Sequence, residues 1–83
     1  MESHTIKFAR KAAKQYSRLP EDYKTLVDAA LYRLMLGQHL HLKPVEGEEN
    51  VFRVRVGRYR ILFQKREKTI VIARIATRGD VYK

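Results

Sequence analysis

Val51-Phe52-Arg53-Val54-Arg55-Val56-Gly57-Arg58-Tyr59-Arg60-Ile61-Leu62-Phe63-Gln64-Lys65 alternates apolar and polar residues on either side of a Gly-Arg pair. Alternation of period two is a strand signal. A two-residue loop with glycine first predicts a β-hairpin closed by a type II′ turn. The loop also sets the register: Val56 pairs with Tyr59, Arg55 with Arg60, Val54 with Ile61, Arg53 with Leu62, and Phe52 with Phe63. Phe52, Val54, Val56, Tyr59, Ile61 and Phe63 then share a face that can be covered by helices, and Arg53, Arg55 and Arg60 take the opposite face.

On the C-terminal side, Thr69-Ile70-Val71-Ile72-Ala73-Arg74-Ile75-Ala76 is apolar on both faces and predicts a strand inside the sheet. A short tail runs from Thr77 to Lys83, with Gly79-Asp80 as a turn. On the N-terminal side, residues 4–8 predict a first strand with Ile6 and Phe8 on one face. A helix follows, because Phe8, Ala12, Tyr16 and Leu19 recur at helical spacing. Pro20 interrupts it, and Pro20-Glu21-Asp22 begins a second helix, with two carboxylates at its positive end. Tyr23, Leu26, Val27, Ala30, Leu31, Leu34 and Met35 form its apolar stripe, and Gly37 is its stop. Residues 38–50 read as a loop holding Pro44 and the acidic run Glu46-Gly47-Glu48-Glu49. The order is strand, two-helix hairpin, then a three-stranded, mostly antiparallel sheet: an α+β fold with the helices on one sheet face. At 83 residues the chain suits one domain, 1–83, with no repeat or linker to divide it.

The charge is uneven. Lys and Arg total 18 against 9 Asp and Glu, a net +9. Residues 1–50 hold 8 basic and 7 acidic side chains, whereas residues 51–83 hold 10 and 2, so the excess lies almost wholly in the hairpin half. Such a field either keeps a solvated surface soluble or attracts a polyanion, of which nucleic acid is the commonest in a cytoplasm. The absence of cysteine excludes disulfides and thiolate metal sites and fits a reducing cytoplasm. No apolar run approaches the roughly 20 residues of a membrane helix, and the N-terminus lacks a signal peptide's apolar core. His39-x-His41 has no third ligand motif, so no metal or cofactor is expected. His4 reads as a surface residue, and Tyr16, Tyr23 and Tyr32 as packing residues on the helices.

Arg55 and Arg60 directly across a strand pair have Cβ atoms about 5 Å apart, and like charges there are destabilising. Either they splay into water, or they form an anion site in which fixed guanidinium forks hold a phosphodiester.

The run from Phe52 to Phe63, the hydrophobic strand after it, and the ending Arg78-Gly79-Asp80-Val81-Tyr82-Lys83 resemble the RelE/ParE superfamily of toxins from type II toxin–antitoxin systems. The terminal Arg…Val-Tyr is more typical of the RelE-type branch, whose members bind the ribosomal A site and cut the mRNA there. The resemblance implies a RelE-like, microbial-ribonuclease-like fold and an endoribonuclease with a cognate antitoxin. It places the family's hairpin basic residues at Arg53 and Arg55, its transition-state arginine at Arg60, and its C-terminal arginine and tyrosine at Arg78 and Tyr82. It implies further RNA contacts at Arg58 and Lys83. The branch often has lysine where this chain has Arg53 and Arg55, and some members carry a basic loop residue where this chain has Glu46.

The implied reaction is metal-free transesterification, in which the RNA 2′-OH attacks the adjacent phosphate and expels the 5′-oxygen. It needs a base, an acid and a clamp for the charge on the phosphorane. Arg60 and Arg78 suit the clamp; Arg53 and Arg55 hold the backbone or assist protonation of the leaving oxygen. Arginine is never deprotonated, so the base is Tyr82 with its pKa lowered by arginines, or else Tyr82 only stacks on a nucleobase. The superfamily also contains ParE-like proteins that poison DNA gyrase without nuclease residues, and an inactive RNA-binding module of the same fold is a further reading.

Overall fold

The computed structural model describes residues 4–38, 43–45 and 47–77. Arg78, Tyr82 and Lys83, together with His39, His41, Glu46 and the Gly79-Asp80 pair, lie outside the described residues. The chain forms β1 (Thr5–Phe8), α1 (Arg10–Ser17), α2 (Glu21–Met35), β2 (Lys43–Pro44), β3 (Val51–Val56), β4 (Tyr59–Arg66) and β5 (Thr69–Thr77). Among the described residues these strands make one sheet in the order β1-β5-β4-β3-β2, with β1 parallel to β5 and every other neighbour antiparallel. This is the expected α+β fold, and β5 lies inside the sheet between β1 and β4.

The hairpin of β3 and β4 has the register set by its turn, from Val56↔Tyr59 to Phe52↔Phe63. Gly57 has φ +61° while Arg58 is not among the positive-φ residues, as a type II′ turn requires. A Cβ on Gly57 would stand 3.1 Å from the Tyr23 ring, so the bare glycine also lets the turn close against α2.

Helix α2 ends in a Schellman motif. Gln38 N–H donates to the Arg33 carbonyl and Gly37 N–H to the Leu34 carbonyl, both at 3.0 Å, with Gly37 at φ +75°. Its start differs slightly from expectation, since Pro20 occupies the N-cap rather than the first turn. Helix α1 ends at Ser17, yet Leu19 beyond it is still buried.

The core lies between the helices and one sheet face. Val27, Leu31 and Leu34 meet Val54, Ile61, Phe63, Ile70, Ile72 and Ile75, and no polar or charged residue is buried among those described. Phe63, 1% exposed, is the largest fully buried side chain and stacks on Phe52 at 5.8 Å. Burying a side chain of that kind stabilises by about 1.5–3 kcal/mol.

Four expectations are corrected. The loop 38–50 contains a strand, β2, whose Lys43 and Pro44 pair with Arg53 and Phe52; proline is tolerated there because β2 is an edge strand. Leu26 is 49% exposed, so it leaves the apolar stripe of α2 for the surface. Tyr32 is 59% exposed and joins Ile6, Phe8, Leu31 and Met35 in the wall of an open groove instead of packing in the core. His4 is half-buried rather than a surface residue: its N–H donates to the Met35 carbonyl at 2.6 Å, and its ring faces Gly37. No helix among the described residues is long and apolar enough to cross a membrane.

Candidate nucleic-acid interface

The sheet face away from the helices carries the basic side chains. On β3 and β4, Arg55 and Arg60 are direct partners, and Arg53 stands opposite Leu62. Arg55 is exposed, while Arg53 and Arg60 are half-buried. The Arg55 Nε–H donates to the Gly57 carbonyl at 3.4 Å, a long contact that ties its head to the turn. The Arg55 position remains opposite Arg60 on the open face. Arg58, in the turn itself, is exposed at the same end of the sheet.

A residue not singled out from the sequence joins them. Between β4 and β5 the register slips: Leu62 faces Arg74, but Phe63 faces Ile72, so Ala73 is an extra residue in a β-bulge. After the bulge Ile75 enters the core at 2% exposure and Arg74 turns to the open face beside Leu62. Arg60 faces Ala76, two residues on from Arg74, which makes Arg60 and Arg74 diagonal neighbours about 7–8 Å apart at Cα. The bulge is also where β1 stops covering β5. Past Phe8↔Ile72 the chain turns into α1, and the Gln15 side-chain oxygen accepts the Ile75 N–H at 2.7 Å in place of a strand.

Arg53, Arg55, Arg60 and Arg74 thus share one face across β3, β4 and β5. The backbone of β2 extends the sheet beyond β3, with Lys43 in register with Arg53. Guanidinium forks fixed on neighbouring strands can hold non-bridging phosphate oxygens bidentately and keep their charge at any working pH. Among the described residues this face presents no histidine or carboxylate at its strand positions, so it offers a charge clamp and not a general base. Nor does any group of His, Cys, Asp or Glu among the described residues stand ready to hold a metal. The expected contributions of Arg78, Tyr82 and Lys83 lie outside the described residues.

Comparison with known proteins agrees with this arrangement of strands and helices. The crystal structure of the isolated Escherichia coli RelE toxin superposes with a TM-score of 0.81 at 16% identity, covering 96% of this chain and 92% of that one. The chain in the RelB–RelE complex from Methanococcus jannaschii gives 0.78 at 23% identity, with 93% and 95% covered. That in the E. coli DinJ–YafQ toxin–antitoxin complex gives 0.82 at 12%, with 98% and 99% covered. At these identities the likeness is one of fold. No curated protein sequence matches the chain. The family model described as the ParE toxin of type II toxin–antitoxin system, parDE, matches residues 6–82. With nearly its whole length matched, the chain belongs to the ParE toxin family of type II toxin–antitoxin systems, within the RelE/ParE superfamily.

Proposed function

We propose that this toxin is a ribosome-dependent endoribonuclease that cleaves translated mRNA in the A site by metal-free transesterification. The observation that carries the reading is the opposed pair Arg55 and Arg60, flanked by Arg53 and Arg74, on the open sheet face. Direct opposition of like charges weakens a sheet, and an anion bound between them reverses that cost. In the reaction the 2′-oxygen forms a bond to phosphorus, the bond to the 5′-oxygen breaks, and a 2′,3′-cyclic phosphate and a 5′-hydroxyl result. Arg60 holds the oxygens on which charge builds; Arg53 and Arg55 hold the strand and assist the leaving oxygen. Arg78 completes the clamp, Arg58 and Lys83 add RNA contacts, and Tyr82 serves as base or as stacking platform. With no ordinary base on the described part of the face, the ribosome supplies orientation of the 2′-OH, a contribution worth several kcal/mol. A cognate antitoxin restrains the toxin in a cytoplasmic setting; the RelB–RelE and DinJ–YafQ chains that share its fold are seen in toxin–antitoxin complexes.

A second reading is a ParE-like toxin that poisons DNA gyrase without cutting RNA, favoured by the family-model match. Induced expression with separate readouts of mRNA cleavage and of gyrase-linked DNA breaks discriminates the two. Cleavage at translated codons with intact DNA supports the nuclease; DNA breaks with intact mRNA overturn it in favour of the gyrase reading.

A further inference from the structure

The basic character of the open face does not stop at the arginines of the hairpin end. At the opposite end of the sheet, Lys7 of β1, Arg66 at the end of β4, and Lys68 and Thr69 at the β4–β5 turn line an open concavity of about 560 Å³ with Val71 as an apolar wall. Register explains the grouping. Lys7 pairs with Val71, which pairs with Gln64, and Thr5 pairs with Thr69, which pairs with Arg66, so Lys7, Gln64 and Arg66 stand on the face that carries Arg60. Lys7, Arg66 and Lys68 are exposed. The Arg66 Nε–H donates to Gln64 Oε1 at 2.9 Å, which holds that guanidinium over the sheet face. Glu67 is the one carboxylate lining the concavity, and with φ +41° it occupies the left-handed position of the turn.

We infer that this concavity is a second phosphate-binding subsite, which takes the sugar-phosphate backbone of the same RNA that crosses the arginine face. The inference rests on the RNA reading of that face. Arg66 lies six residues along β4 from Arg60, or about 20 Å at strand rise. That is about six stacked nucleotides at ~3.4 Å each, and fewer if the strand is extended. A strand lying along β4 therefore meets arginines at one end and Lys7, Arg66 and Lys68 at the other, with half-buried Leu62 and Gln64 between them. Three cations against one carboxylate suit a backbone without sequence preference.

The test uses the full chain and a labelled 2′-O-methyl oligouridylate 12-mer, which binds but cannot be cut, beside a 3-mer too short to join the two ends. The variant is the triple Lys7→Gln, Arg66→Gln, Lys68→Gln, with Lys7→Arg, Lys68→Arg as the charge-preserving control. The triple variant should bind the 12-mer at least about tenfold more weakly, with the salt slope reduced by about two, at ~0.7 per phosphate on single strands. Binding of the 3-mer should stay the same, and the control should match the wild type. If the 12-mer is unaffected but binding to small ribosomal subunits weakens with the same slope change, the concavity holds ribosomal RNA instead, and the inference that one RNA crosses both ends is overturned. Equal affinity and slope on both ligands overturn it. So does an oligoglutamate 12-mer that binds with the same dependence on the three residues. A variant weakened on RNA in a protein that cuts none leaves the subsite standing while the nuclease reading fails. A wild type that cuts RNA with no contribution from the three residues reverses that outcome.

Discussion

Arg60 meets Arg55 across β3 and β4 and Arg74 on the diagonal to β5, so its charge is held among like charges by a rigid sheet. Removing it tests whether that arrangement exists for binding. Arg60→Ala should keep the fold and melt no lower than the wild type, since a repulsion is relieved. Cleavage of ribosome-bound mRNA should fall by about 100-fold or more, as for loss of one transition-state donor; an unchanged rate in the folded variant removes Arg60 from the mechanism. Tyr16 offers a residue-scale test of packing. Its hydroxyl donates to Asp28 Oδ1, and that bond, then burial, then the charges of Asp28 and Glu21 hold the phenol above its ordinary pKa. A raised pKa stabilises the fold while the phenol is protonated, fully below about pH 10, and the contribution disappears as the pH climbs through the raised value. The difference in urea midpoint between wild type and Tyr16→Phe should therefore hold steady up to about pH 9 and shrink above about pH 10. Arg74 shows where reading the sequence stops at this scale. Strict alternation from Ile70 and Ile72 puts Arg74 in the core, and only the bulge at Ala73, which no local residue pattern announces, turns it outward.

At the scale of elements, the hairpin and α2 were legible because their signals are local. Gly57-Arg58 sets the turn and hence every pair from Val56↔Tyr59 to Phe52↔Phe63, and Gly37 ends α2 at the residue where a left-handed conformation is needed. Strand β2 was not legible. Two residues, one a proline without an N–H, carry no periodicity, and their pairing depends on a partner strand already in place. The exposure of Leu26 and Tyr32 was likewise hidden, because an apolar stripe on a helix says which side faces inward and not how far the sheet beneath it extends. The turn gives the element-scale prediction. Gly57→Ala puts a side chain at φ +61° and 3.1 Å from the Tyr23 ring, and should destabilise by about 1–2 kcal/mol from the left-handed conformation alone. Denaturant titration measures it, and Tyr23→Ala in the same background should recover only the part due to the close contact. Loss of less than about 0.5 kcal/mol would mean that the turn relaxes to another type.

For the whole molecule, Arg53, Arg55, Arg60, Arg66 and Arg74 of the basic half stand on one side of a sheet whose other side is covered by helices. A toxin with such a face needs a partner that covers it, and the proposed antitoxin supplies an acidic segment that folds along this chain. Charge complementarity speeds encounter, while apolar anchors set the lifetime of the complex. Association with the product of the neighbouring gene should slow markedly as salt rises, with dissociation changing less; stopped-flow kinetics across a salt series checks this, and a basic or non-binding product contradicts it. The central claim is that the open arginine face cuts mRNA by attack of the 2′-oxygen. Its most direct measurement is the chemistry of the ends left when purified toxin acts on ribosomes stalled with a defined codon in the A site. The account predicts a 2′,3′-cyclic phosphate on the upstream fragment and a 5′-hydroxyl on the downstream one, both lost with Arg60→Ala. Intact mRNA, or a 5′-phosphate end, would contradict it.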